Sequence, residues 1–222
     1  MENKTFKSKY AINKSIVYVS DNMSGKMQGV PAISTSVALN PICRERAKDP
    51  ESICAHCFAK ATIERYSRLG EHLAENTAVL TASVLNDSDL PRFGYNVGMV
   101  RFEAFGDLNN TTQVANYFNI ARNSAHVHFA LWTKNPIIIK WAIESGAIKP
   151  DNLIIIYSSP KLNKPALDIF ERFPFVDKVF TVYDKQTIAK ENIAINCGAR
   201  SCAGCGLCYF DKAVKIVNEQ LK

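Results

Sequence analysis

Short hydrophobic stretches recur along the chain, and amphipathic stretches lie between them. Alternation with period two, or a short apolar run, predicts five strands, over residues 33–39, 99–105, 126–132, 152–158 and 178–183. Apolar residues spaced three and four apart, together with capping residues, predict helices over residues 58–85 with a break near Gly70, and over 114–121, 135–146 and 163–173. A closing amphipathic helix is predicted from about residue 211.

Strands that alternate with helices indicate parallel βαβ units in one α/β domain over residues 1–222, with 1–30 as an N-terminal extension. Five units are fewer than the eight of a closed barrel. In the strand after Ala125, Phe129 and Leu131 face one way, whereas His128 and Trp132 face the other. A polar face differs from the continuous apolar strands of a doubly wound sheet. The sequence therefore favours a partial (β/α) barrel of parallel strands that ends in a cysteine-rich segment, residues 197–210.

Composition and charge limit the class of protein. Hydrophobic residues make up 47% of the 222 residues and charged residues 22%, as in an ordinary globular protein. The polar start lacks an apolar signal segment, and no apolar run approaches the ~20 residues of a membrane helix. We therefore expect a soluble, cytoplasmic protein without a membrane partner. The net charge of +6 comes from scattered Lys and Arg, which permits nucleic-acid binding but does not indicate it.

Seven cysteines fall into two tight groups with none left over. An odd number in a cytosolic chain argues against a disulfide framework, and inert buried cysteines would be scattered. The grouping predicts that all seven are metal ligands: Cys43, Cys54 and Cys57 in the first group, and Cys197, Cys202, Cys205 and Cys208 in the second.

The first group has the spacing Cys43-x10-Cys54-x2-Cys57 and lies between the first predicted strand and the first predicted helix. Three thiolates can hold three irons of a [4Fe–4S] cluster and leave the fourth iron open to an exogenous ligand. A loop at the carboxyl end of a barrel strand is also where such folds place their chemistry. The alternative is a zinc site completed by His56 or by a distant residue.

The second group has the spacing Cys197-x4-Cys202-x2-Cys205-x2-Cys208, which contains the consecutive C-x2-C-x2-C run of bacterial ferredoxins. Small residues between the cysteines let the backbone wrap closely around a cluster. A four-cysteine zinc site is the alternative. A single cluster that takes cysteines from both groups also stays open, so the sequence predicts one or two [4Fe–4S] clusters.

Polar residues near the ends of predicted strands are candidates for catalysis and cofactor binding. Glu103, His128 and Lys134 come from two neighbouring units, and we expect a carboxylate, an imidazole and an ammonium group to converge near the open iron and to move protons. Ser158 ends a strand, and together with Glu103 it is a candidate to contact a cofactor. The structural alternative is an ion pair between Glu103 and Lys134, with His128 as a satisfied interior histidine.

Three segments together resemble radical S-adenosylmethionine (SAM) enzymes in a divergent phage form: Cys43 with residues 54–59 (Cys-Ala-His-Cys-Phe-Ala), residues 102–108 (Phe-Glu-Ala-Phe-Gly-Asp-Leu) and residues 131–136 (Leu-Trp-Thr-Lys-Asn-Pro). Over about residues 30–210 the chain looks most similar to the phage gene 88 product family. The resemblance implies a partial barrel with the first cluster at its mouth and a location in the host cytosol. Radical SAM enzymes usually place three residues between the first two cysteines, where this chain has ten.

Three functions are compatible with these observations. In the first, which the resemblance implies, SAM is cleaved reductively at the open iron while the second cluster relays electrons or anchors the substrate. In the second, an open Lewis-acidic iron promotes hydrolysis or dehydration, as in a hydrolase or lyase. In the third, the clusters are structural in a non-catalytic protein that binds a host protein or a nucleic acid. The sequence identifies no substrate.

Overall fold

Six parallel strands form one sheet in the computed structural model, which describes residues 4–221. The strands have the same order in the sheet as in the chain. Within the described residues the first and last strands do not pair with each other, so the sheet stays open. This arrangement confirms a partial parallel α/β fold, with six strands instead of five. The strands are β1 Ala32–Ile33, β2 Met99–Phe102, β3 His128–Thr133, β4 Leu153–Ser158, β5 Lys178–Tyr183 and β6 Ile216–Gln220.

Helices connect the strands, as expected for parallel neighbours. Two short 3-10 helices lie at Gly25–Met27 and Ile53–His56. No helix within residues 4–221 is long and apolar enough to cross a membrane. The α-helices are α1 Pro41–Arg46, α2 Phe58–Arg65, α3 Ser67–Ala82, α4 Thr111–Arg122, α5 Pro136–Glu144, α6 Ile169–Arg172, α7 Lys185–Glu191 and α8 Cys202–Cys205.

The main core lies on one face of the sheet, here called the outer face, where helices cover the strands. Phe102 and Phe129 project from the strands into the same cluster as Tyr117 of α4 and Ile139 of α5. The rings of Phe102 and Tyr117 stack with their centroids 4.3 Å apart. Aromatic residues that are fully buried in this way stabilise a fold strongly because each removes a large apolar area from water.

The opposite, inner face is covered by the chain between β5 and β6. Ala130, Ile156 and Phe180 pack there against Tyr209 from the cysteine-rich segment. Lys178 is buried on the same side, and its ammonium group donates hydrogen bonds to the carbonyl oxygens of residues 211 and 214. The cysteine-rich segment is therefore part of the folded sheet layer rather than an appended tail.

Two predicted elements are wrong. Residues 33–39 are a strand only up to Ile33, because the polar groups that follow bond elsewhere: the Thr35 amide donates to Glu103 Oε2 and the Ser36 amide to Thr77 Oγ1. The closing helix predicted from residue 211 is instead strand β6. Val217 is its buried residue, and the strand extends the sheet by pairing with β5 from Val179 to Tyr183.

The first predicted helical region is present but breaks at Tyr66 rather than at Gly70. Gly70 lies inside α3, where a Cβ atom would meet the Ile63 carbonyl oxygen of α2 at 3.5 Å. A Cβ atom at this position would thus make only ordinary van der Waals contact with α2. The helix predicted over residues 163–173 is restricted to Ile169–Arg172.

Candidate functional site

The first cysteine loop lies at the edge of the sheet where the parallel strands end. Asn40 caps α1, because its Oδ1 accepts hydrogen bonds from the amides of Ile42 and Cys43 at 2.9 and 3.1 Å. Its Nδ2 group donates to the carbonyl oxygens of Asp107 and Leu108, which follow β2. One buried amide side chain therefore fixes Cys43 to the connection after the second strand.

Cys54 and Cys57 lie close enough to Cys43 for their charges to act on its thiol. Burial, followed by the charges of Asp107 and Glu103 and by Cys54 and Cys57, raises the pKa of the Cys43 thiol. Cys43 and Cys57 also pack against the same small apolar cluster. The three thiols form a donor set of one chemical kind at the mouth of the open sheet.

Asp107 connects the ends of two strands beneath this loop. Its carboxylate accepts hydrogen bonds from Thr133 Oγ1 at 2.5 Å and from the Lys134 amide at 2.9 Å. Arg46 of α1 lies 3.9 Å from the same carboxylate and donates to the Lys134 carbonyl oxygen. The aspartate and the arginine therefore hold the cysteine loop against the end of β3.

Glu103 is buried directly after β2, and its oxygens are occupied by protein donors. Tyr117 Oη and Gln113 Nε2 of α4 lie 2.5 and 2.6 Å from Oε1, and Thr35 donates from both its amide and its hydroxyl. Burial raises the pKa of the carboxyl group from 4.5 to about 7, although the hydrogen bonds from Tyr117 and Thr35 lower it. Glu103 has a φ of 57°, a left-handed conformation that is uncommon outside glycine.

The structure brings Lys134 and Ser158 together but places His128 elsewhere. Lys134 Nζ donates to Ser158 Oγ at 2.9 Å, where β3 and β4 end. The ion pair between Lys134 and Glu103, which was the structural alternative, is not among those formed within residues 4–221. His128 is the first residue of β3 and lies at the opposite edge of the sheet. Its ring packs against that of Phe210, with the two ring centroids 4.6 Å apart. The expected convergence of three polar groups is therefore not formed.

The second cysteine group lines one small pocket on the inner face of the sheet, and all four of its cysteines contribute to the wall. Gly206 has a φ of 66° and ends α8, which turns the chain so that Cys208 returns to the pocket. Burial raises the pKa of the Cys208 thiol to about 12, and it raises the pKa values of Cys197 and Cys202 as well.

Two basic residues adjoin this second group. Lys26 Nζ lies 2.8 Å from the carbonyl oxygen and 3.7 Å from the sulfur of Cys197, and it forms an ion pair with Glu219. Arg101 of β2 lowers the pKa values of Cys202 and Cys208 through its charge, against the larger effect of burial. Positive charges beside thiols favour thiolates, which are the form that binds metal.

Neither group has the geometry of a single-ion site. Within the described chain, no three His, Cys, Asp or Glu side chains are grouped closely enough to hold one metal ion. A [4Fe–4S] cluster requires a different arrangement of thiolates, because each thiolate binds a different iron and the thiolates do not share one ion. The chemistry of both donor sets, thiols alone, fits such a cluster.

Residues 13–218 match the family model described as gene product 88. The chain belongs to the gene product 88 family. The match spans both cysteine groups and confirms the phage gene product family that the sequence motifs indicated. The family match does not support the resemblance to radical SAM enzymes. No curated protein and no solved structure matches the chain.

Sequence reasoning missed residues that the fold brings to the two cysteine groups. Asn40, Asp107 and Arg46 hold the first loop, whereas Arg101 and Lys26 lie beside the second group. Asp107 lies in one of the segments that carried the family resemblance, so a signal for it was present. Asn40 directly precedes Pro41, which is an N-cap signal, but its bonds to Asp107 and Leu108 join distant parts of the chain. The contacts of the other three residues are also long-range, and only tertiary structure brings them together.

Proposed function

We propose that this gene product 88 family member is a radical SAM-like iron–sulfur protein whose Cys43, Cys54 and Cys57 hold a [4Fe–4S] cluster with one open iron. The observation that supports the proposal is that Cys43, on whose thiol the charges of Cys54 and Cys57 act, is held by Asn40 at the carboxyl edge of an open parallel sheet. That edge is where parallel α/β barrels carry their chemistry. When bound, such a cluster supplies the electron, drawn from an external reductant, that breaks a carbon–sulfur bond of SAM to give methionine and an adenosyl radical.

The chain's own residues have defined tasks in this proposal. Asn40 and Arg46 position the cysteine loop, and Lys134 with Ser158 presents a cation and a hydroxyl group at the adjacent strand ends. These groups suit the carboxylate and hydroxyl groups of a ligand such as SAM. Glu103 acts as a positioning residue, since its oxygens are occupied by Thr35, Gln113 and Tyr117.

Two clusters fit the placement better than one shared cluster. The first group lies where the strands end, whereas the second lies on the inner face and packs against the strands themselves. We assign the second group a cluster ligated by Cys197, Cys202, Cys205 and Cys208, which fixes residues 197–210 onto the sheet. A cluster with four thiolates leaves no open iron, so its tasks are structure and electron transfer.

The decisive experiment uses anaerobically reconstituted protein and the electron paramagnetic resonance spectrum of the reduced protein with and without SAM. We expect SAM to change the spectrum and to be converted into methionine and 5′-deoxyadenosine. Replacing Cys43, Cys54 and Cys57 by Ala should abolish the response while the iron of the second group remains. The matched control replaces three cysteines of the second group, Cys202, Cys205 and Cys208, and should keep the SAM response.

Zinc without iron or sulfide in the reconstituted protein would refute the cluster assignment. If SAM does not change the electron paramagnetic resonance spectrum of the iron-loaded protein, the radical SAM assignment is refuted. Hydrolysis or dehydration at a Lewis-acidic iron would then be favoured. Loss of all iron in the control variant would indicate one shared cluster.

A further inference from the structure

A large cavity opens beside the first cysteine loop on the inner side of β2. Its volume is about 810 Å³, and its walls come from the N-terminal segment, from α2 and α3, and from the end of β2. Phe58, which directly follows Cys57, lies at its rim, and Phe105 joins it to the apolar cluster that contains Cys43 and Cys57. A ligand in this cavity would therefore lie next to the proposed open iron.

The described walls of the cavity hold two arginines and no carboxylate, and an acidic group that contacts a wall residue is paired, since Glu75 lies 3.0 Å from the ring of His72 and 2.8 Å from Lys4. The two arginines are Arg68 and Arg101, and none of the fifteen described lining residues is acidic. Within residues 4–221 neither arginine has a carboxylate at ion-pair distance.

The Nε of Arg101 is buried without a hydrogen-bond partner in the described chain, and its guanidinium group lies near Met27 Sδ at 3.9 Å, the Glu103 carbonyl oxygen at 3.5 Å and the Trp132 ring. Its charge also acts on Cys202 and Cys208 of the second group. An anion in the cavity would therefore meet the side chain of Arg68 and the terminal guanidinium nitrogens of Arg101.

The rim of the cavity exposes aromatic rings to solvent. Phe58 is 65% exposed and Tyr66 is 55% exposed, although both belong to residue types that are usually covered. Tyr18 stacks on His72 at 4.3 Å inside the same cavity. Exposed rings beside unpaired arginines are typical of sites that stack a flat base and bind its phosphate.

We propose that this cavity binds a nucleoside phosphate, with the base against the aromatic rim and the phosphate at Arg68 and Arg101, as the substrate of the proposed reaction. The assignment of substrate rests on the proposed function, whereas the binding itself does not. The volume suits one nucleotide, since pockets of 300–1,000 Å³ hold ligands of that size. The same chemistry is offered by a free nucleotide and by one nucleotide of a single strand.

Binding is measured on the full-length, iron-loaded protein without SAM, with uridine monophosphate and a fluorescently labelled single-stranded hexanucleotide as probes. A pyrimidine avoids competition for a site that takes the adenine of SAM. We expect Arg68→Gln and Phe58→Ala each to weaken binding about tenfold, which corresponds to one lost charged hydrogen bond or one lost stacking contact. Arg92→Gln is the matched control, because Arg92 is an exposed arginine that precedes β2 at the other edge of the sheet, and it should leave the affinity unchanged.

Uridine monophosphate that binds as tightly as the hexanucleotide would support the proposal and identify a free nucleotide as the ligand, whereas binding of the hexanucleotide alone would support it and identify a single strand. The proposal is overturned if neither probe binds, if uridine without phosphate binds equally well, or if both cavity variants match the Arg92 control. Each outcome is independent of SAM cleavage, so failure of nucleotide binding is distinguishable from failure of the proposed function.

Discussion

At the scale of single residues, Gly106 is a glycine with no room for a side chain. A Cβ atom there would lie 2.7 Å from Glu103 Oε2 and would also meet the backbone and hydroxyl oxygens of Thr35. Gly106→Ala should therefore lower the free energy of unfolding by about 1–3 kcal/mol through overpacking, as measured by urea denaturation. Gly98→Ala is the matched control, because nothing lies within 4 Å of a Cβ atom at Gly98. Equal stability of the two variants would contradict the close packing around Glu103.

The buried carboxyl group of Glu103 makes stability depend on pH. Because its folded pKa of about 7 lies above the ordinary value of 4.5, the folded state binds more protons than the unfolded state between these values. The stability contributed by this group is thus complete below about pH 4.5 and is lost as the pH rises through 7. The difference corresponds to about 3 kcal/mol.

Comparison with Glu103→Gln isolates this effect, since the amide does not titrate. Relative to the variant, the wild-type protein should lose stability between pH 5 and pH 7.5, as measured by urea unfolding of both proteins in the same metal state. Parallel pH profiles of the two proteins would show that the carboxyl group is ionised over the whole range.

At the scale of elements, the cap of α1 determines where Cys43 lies. Asn40→Ala removes the cap and both hydrogen bonds to the connection after β2, so we expect the protein to lose iron from the first group while keeping that of the second. Loss of the cap alone should cost about 1 kcal/mol. Asn110→Ala is the matched control, because Asn110 caps α4 in the same way and also bonds a carbonyl oxygen, that of Thr81. The iron and sulfide contents of the two variants are measured after reconstitution. Equal iron loss in Asn40→Ala and Asn110→Ala would contradict a specific role for Asn40.

Hydrophobic periodicity predicts some elements of this protein correctly and others wrongly. The predictions for strands β4 and β5 and for helix α4 are nearly correct, because most buried residues of these elements are apolar and follow the period of the element. Strand β6 was mistaken for a helix, because residues 211–222 also carry apolar residues at helical spacing. Pairing with β5 decides between the two, and the local sequence does not contain that partner.

At the scale of the whole molecule, the two cysteine groups differ in what they support. Residues 197–210 cover the inner face of the sheet and lead into β6, whereas the first loop lies at the edge. Replacing Cys197, Cys202, Cys205 and Cys208 by Ser should therefore lower the thermal midpoint of the reconstituted protein by roughly 10 °C more than replacing the three cysteines of the first group. Scanning calorimetry or circular dichroism measures the difference. Equal midpoints would indicate that the second group does not hold the segment on the sheet.

The sequence by itself determined the parallel α/β class and the grouping of seven cysteines, because hydrophobic period and cysteine spacing are local properties of the chain. The inner face, predicted to be polar, is instead an apolar surface covered by the segment between β5 and β6. Only the tertiary structure decided which polar residues meet. His128 and Lys134 are six residues apart on one strand and its end, so they lie at opposite edges of the sheet. Glu103 turns toward α4, and Asn40 and Asp107, 67 positions apart, meet under the cysteine loop. Such meetings depend on where each strand ends and on how the sheet is ordered, which hydrophobic periodicity does not specify.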